Sequence, residues 1–123
     1  MIPMVLVDTS LWVLHLRSGH PHLEELLARG EVVTHPFVIG ELACGKLRNR
    51  GEILTLLKAI PQATTATHEE VLGLIENRKL MGCGLGYVDV HLLASAFLTP
   101  LKLWTNDQKL KSAAFKLGVG YTN

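Results

Sequence analysis

Aspartate is scarce in this sequence: only Asp8, Asp89 and Asp107 occur among its 123 residues, although aspartate is ordinarily a common turn and surface residue. The two cysteines, Cys44 and Cys83, form no metal-ligand spacing and predict reduced, buried thiols in a cytoplasmic protein. No apolar run approaches the roughly 18 residues that a membrane-spanning helix requires. The N-terminus lacks a basic n-region and a cleavage-site pattern, so no signal peptide is expected. Aromatic residues make up only 6% against 48% hydrophobic residues, a balance that suits a compact α/β protein. The length predicts a single domain, 1–123, large enough to bury one core. Net charge of one sign is missing as well: twelve Lys and Arg against eleven Asp and Glu leave +1, which points to no partner.

What is present begins with Met4-Val5-Leu6-Val7-Asp8-Thr9-Ser10. An apolar run without alternation is the pattern of a parallel strand buried on both faces. Asp8 then falls at the strand's carboxyl end, where open α/β sheets place their chemistry. Thr9 or Ser10 can cap the helix that follows, and a lone Asp8 reads equally well as part of that cap. Three further acids in similar settings favour a site.

A helix from Ser10 to about Arg17 is expected, then a second from Pro21 to Arg29, stopped by Gly30. Glu31–Thr34 reads as a strand, and Phe37–Leu47 as a helix carrying Glu41 in an apolar setting. That setting places Glu41 near buried surface, where a carboxylate needs a cation, a donor or a proton. Lys46, Arg48 and Arg50 suit the negative end of that helix and could meet phosphates. Glu52–Ile60 is expected to be helical and Gln62–Ala66 a short strand. Thr67-His68-Glu69-Glu70 has the form of a capping box for a helix to about Leu80. The turn Gly82–Gly86 lacks the pattern of a phosphate loop. Tyr87–Leu98 is apolar nearly all round and should be the most buried helix, with Asp89 in its first turn. Leu101–Thr105 reads as a strand, and a helix runs from Gln108 to Leu117. Asp107 thus repeats the strand–acid–helix order of Asp8. Val119–Thr122 is expected as an edge strand, and His20 and His22 as loop surface rather than zinc ligands.

All three aspartates therefore stand at strand ends or on a buried helix. Gathered at one edge of a sheet, with Glu41, they repel one another unless a divalent cation intervenes. Mg²⁺ or Mn²⁺ takes such oxygen ligands together with water and phosphate oxygens. The matching reaction is metal-assisted hydrolysis of a phosphodiester. Without these four acids the rest of the chain counts twelve basic against seven acidic residues, or +5, which suits a polyanionic substrate.

The succession VDTS, VIGELACG, GLGYVDVHLLASA and LWTNDQKL resembles the PIN domain, and in particular the VapC ribonuclease toxins, over essentially the whole chain. The resemblance implies a three-layer α/β/α sandwich around a short parallel sheet. It implies that Asp8, Glu41, Asp89 and Asp107 form a catalytic quartet. Asp8, Asp89 and Asp107 would hold Mg²⁺ or Mn²⁺, supported by Thr9, Ser10, Thr105 and Asn106. It further implies an RNA substrate, a VapB-type antitoxin covering the pocket, and a homodimer. A receiver-like phosphoacceptor would show an acidic pair at the first strand, and Asp8 follows Val7 alone. A haloacid-type phosphatase would show Asp-x-Asp, and Ser10 occupies the second place. A binding module of the same fold without catalysis is the remaining alternative, opposed by the intact quartet.

Overall fold

The computed structural model describes residues 4–122. The apolar run of β1 (Met4–Val7) takes the centre of a parallel sheet, between β2 (Val32–Val33) and β3 (Leu101–Trp104). Val5, Leu6 and Val7 are all buried, as an unbroken apolar strand covered on both faces requires. Leu6 lies opposite Val33 on one side and Leu103 on the other. The two further expected strands shrink to single bridges, Thr34 with Gln62 and Leu103 with Gly120. Beyond Ala63 the Ser95 hydroxyl donates to the Thr64 carbonyl at 2.7 Å, so that backbone is tied to a helix instead of the sheet edge. At the other edge Tyr121 turns its ring onto Trp104 and His22.

Among the described residues seven helices surround this sheet: α1 (Thr9–Ser18), α2 (Pro21–Ala28), α3 (Pro36–Cys44), α4 (Arg50–Ala59), α5 (His68–Arg78), α6 (Tyr87–Leu98) and α7 (Gln108–Lys116). Proline opens α2 and α3, where its missing N–H costs nothing. The Thr67–Glu70 capping box of α5 forms in both directions. Residues Val90 to Ala96 of α6 are buried without interruption, as its all-round apolarity predicts.

Helix α3 ends at Cys44, three residues short of the expected Leu47. Gly45 closes it through a bond to the Leu42 carbonyl, and the Arg50 guanidinium donates to the carbonyls of Ala43 and Gly45. Arg50 thus meets the negative helix end, while Lys46 and Arg48 fall in the turn beyond it. The cysteines are a correction: both are exposed. Val38 and Leu42 form the buried stripe of α3, which leaves Cys44 at its outer end, and Cys83 sits on the glycine-rich turn. His20 and His22 are also not loop surface. Their rings pack edge-on against Trp104 at 5.1 and 5.4 Å, and His22 Nε2 lies 2.6 Å from the Tyr121 hydroxyl.

Candidate active site

Each aspartate stands at the start of a helix, and each holds a backbone N–H there. The Asp8 N–H donates to the Trp104 carbonyl at 2.9 Å, which fixes Asp8 at the carboxyl edge between β1 and β3. Its Oδ1 accepts the Thr9 N–H at 2.7 Å. Its Oδ2 accepts the hydroxyls of Ser10 at 3.0 Å and Thr105 at 2.7 Å. The buried Thr105 hydroxyl in turn accepts the Asp107 N–H at 3.0 Å, and Ser10 Oγ accepts the Asn106 N–H at 3.1 Å. The turn after β3 is therefore clamped to the turn after β1. Asp107 caps α7 by accepting the Leu110 N–H at 2.9 Å. On the other side Thr9 donates its hydroxyl to Glu41 Oε1 at 2.6 Å. Asp89 accepts the Gly86 N–H at 2.9 Å at the start of α6.

A hydrogen-bonded line thus runs from Glu41 through Thr9, Asp8 and Thr105 to Asp107. Asp89 joins it electrostatically. Burial raises its pKa, the Gly86 N–H opposes that rise, and the negative charges of Asp8 and Asp107 push it up further. Among the described residues no lysine, arginine or histidine makes an ion pair with any of the four carboxylates. Helix N-termini supply only partial positive charge. Asp89 Oδ1, Asp107 Oδ2 and Glu41 Oε2 have no donor among the described residues.

This donor set fits a hard divalent cation in charge and in ligand chemistry. Among the described residues no three acidic, histidine or cysteine side chains stand close enough together to hold one as they are placed. Asp8 is buried and Asp89 half-buried, while Asp107 and Glu41 are exposed. Glu41 therefore departs from the expected buried setting. Val38 and Leu42 occupy the buried stripe, and Glu41, one position off it, reaches Thr9 along the surface.

Beside Glu41 and Thr9 lies a groove of about 780 Å³, with Arg17, Lys46, Arg48 and Asn49 in its walls. Neither Arg17 nor Asn49 stands out in the sequence, because only the packing of α1 on α3 and of α3 on α4 assembles the groove. On the opposite flank the Lys109 side chain crosses the turn before α6. It lies so close to Gly84 that a Cβ there would meet Lys109 Cδ at 2.6 Å.

Comparison with known proteins identifies the family. The sequence matches the PIN domain family over residues 5–116. It is 47% identical, over 94% of each chain, to Ribonuclease VapC32 of two strains of Mycobacterium tuberculosis. Its fold is similar to the crystal structure of PAE2754 from Pyrobaculum aerophilum, with a TM-score of 0.63 at 17% identity over 94% of this chain and 96% of the other. Acids at the carboxyl edge of a short parallel sheet, the family match and the near-complete relatives lead to one conclusion: the chain belongs to the PIN domain family, among its VapC proteins.

Proposed function

We propose that the protein is a metal-dependent endoribonuclease that hydrolyses RNA phosphodiester bonds as the toxin of a VapBC-type pair. The observation that carries this reading is the line Glu41–Thr9–Asp8–Thr105–Asp107, with unpaired carboxylates, in a chain so similar to a ribonuclease. Asp8, Asp89 and Asp107 would hold Mg²⁺ or Mn²⁺. Such an ion supplies positive charge to the phosphate and acidifies water. Thr105 and Ser10 fix Asp8 so that its carboxylate keeps one orientation, and Asp107 orients the attacking water. Glu41, held by Thr9 and exposed, would ligate a second ion or position the attacking water through a hydrogen bond. The protein would act in the cytoplasm as a homodimer, silenced by a VapB-type antitoxin whose C-terminal segment covers the acids.

Cleavage of total RNA in Mg²⁺ or Mn²⁺, with chelated controls, tests the proposal. Cleavage should stop in EDTA and in Asp8→Asn, and expression without antitoxin should arrest growth. A soluble Asp8→Asn protein as toxic as wild type would overturn the hydrolytic mechanism.

A further inference from the structure

The groove beside Glu41 has features that hydrolysis alone does not use. Its volume of about 780 Å³ lies within the range of pockets that bury small molecules. It borders the acids: Glu41 and Thr9 line it while the three aspartates do not, and the Thr9 N–H holds Asp8 just beyond its end. Its floor is apolar, from Val13, Leu16 and Ile53, and Val13 stays 40% exposed. Arg17, Lys46 and Arg48 rim it, and none of the three is ion-paired among the described residues. Three free cations thus surround an apolar floor at the edge of an acidic centre.

Asn49 supplies the remaining element. It lines the same groove with a left-handed backbone, φ 53° and ψ 44°, and its side chain makes no capping bond to the helix it precedes. Asparagine enters this conformation more readily than most residues, yet glycine adopts it without strain. An amide at this position with no cap to make has one donor and one acceptor face to offer a ligand.

Resting on the ribonuclease reading above, we infer that this groove is a nucleotide subsite for single-stranded RNA and that Asn49 reads its base. The nucleotide flanking the scissile phosphate lays its base on Val13, Leu16 and Ile53. Its phosphates meet Arg17, Lys46 and Arg48. Cations on phosphates fix register without carrying sequence information, whereas hydrogen bonds to a base edge do carry it. An apolar floor beside the plane of a guanidinium suits an unstacked base. Charge complementarity selects RNA, since a polyanion is attracted by the rim and brings its phosphate to the acids. Among the described residues Glu41 is the only acid lining the groove, and its bond to Thr9 puts it at the end beside Asp8.

The experiment profiles cleavage ends on a randomised RNA pool in Mg²⁺ for wild type, Asn49→Gly and a Lys46→Ala/Arg48→Ala double variant. Glycine removes the amide and relaxes the left-handed backbone, so a melting temperature at or above wild type shows an intact fold. Wild type should prefer one base at a single position beside the cut. Asn49→Gly should lower that preference by about tenfold or more, the scale of a lost bidentate base contact. The double variant should keep the preference, with a raised KM and a salt dependence flattened by about one to two in slope. Wild-type cleavage with an unchanged profile in Asn49→Gly overturns this inference alone. So does an unaltered KM and salt slope in the double variant. Weaker inhibition of Asn49→Gly by a protein antitoxin, with base preference unchanged, would assign the groove to a protein segment and likewise overturn it. A wild type that cleaves no RNA overturns the ribonuclease reading itself.

Discussion

Replacing Thr105 by valine tests the central clamp of the site. The Thr105 hydroxyl is buried, donates to Asp8 Oδ2 at 2.7 Å and accepts the Asp107 N–H at 3.0 Å. Valine fills nearly the same space and can do neither. A hydrogen bond to a charged acceptor contributes about 1.5–3 kcal/mol net. The released Asp107 N–H lies at an exposed residue, where water can replace the lost acceptor, so it adds little. The expected loss is about 1.5–3 kcal/mol, or roughly 6–12 °C in melting temperature for a domain of this size. Ser10 still holds Asp8 Oδ2 at 3.0 Å, so the carboxylate stays in place but loses one restraint. Partners that orient a metal ligand typically affect metal affinity by about 10–100-fold, so the Mg²⁺ concentration for half-maximal cleavage should rise on that scale. Thr105→Ser keeps the hydroxyl and serves as control. Melts in EDTA and metal titrations of cleavage read both effects. Equal melting and equal Mg²⁺ dependence of the valine and serine variants would refute the clamp.

His35 should make stability fall in acid. Its ring is fully buried, its Nδ1 accepts the Phe37 N–H at 3.0 Å, and burial followed by the nearby His91 lowers its pKa from 6.5 to about 4. The unfolded chain takes up this proton near pH 6.5 and the native chain only near 4, so stability is full above 6.5 and declines below it, by about 2 kcal/mol at pH 5. His35→Asn retains an acceptor for the cap and should flatten this slope, measured by denaturant midpoints from pH 4.5 to 7.5. Asp89→Asn keeps an oxygen for the Gly86 N–H and removes a charge repelled by Asp8 and Asp107. In EDTA it should melt at or above wild type, and Mg²⁺ or Mn²⁺ should raise its melting temperature less; an equal metal-induced shift would count against Asp89 as a ligand. Gly84→Ala meets both a φ of +78° and Lys109 Cδ at 2.6 Å from the new Cβ. It should cost about 1–2 kcal/mol through the backbone alone, with the steric excess recovered by adding Lys109→Ala, as a double-mutant cycle would show.

Short-range patterns determined much of this protein before any packing was known. The unbroken run Val5–Val7 placed β1 at the centre of a parallel sheet, because a strand apolar on both faces has to be covered on both. Proline at the starts of α2 and α3, the Thr67–Glu70 box and the apolar circumference of α6 located helices from residues within one turn of each other. The scarcity of aspartate singled out Asp8, Asp89 and Asp107, and all three do stand at helix starts. What remained hidden depends on residues far apart in sequence. Thr105 meets Asp8 across 97 positions and Thr9 meets Glu41 across 32, and nothing local marks which threonine hydroxyl will be buried against a carboxylate. Packing also decided that Glu41 and Cys44 face outward, since one step around α3 separates the buried stripe from solvent, and it left Cys83 exposed on the glycine-rich turn. The groove with Asn49 exists only where α1, α3 and α4 meet. Periodicity and capping are written within a few residues of the chain, whereas the surroundings of a polar side chain are set by whichever distant elements the core brings against it.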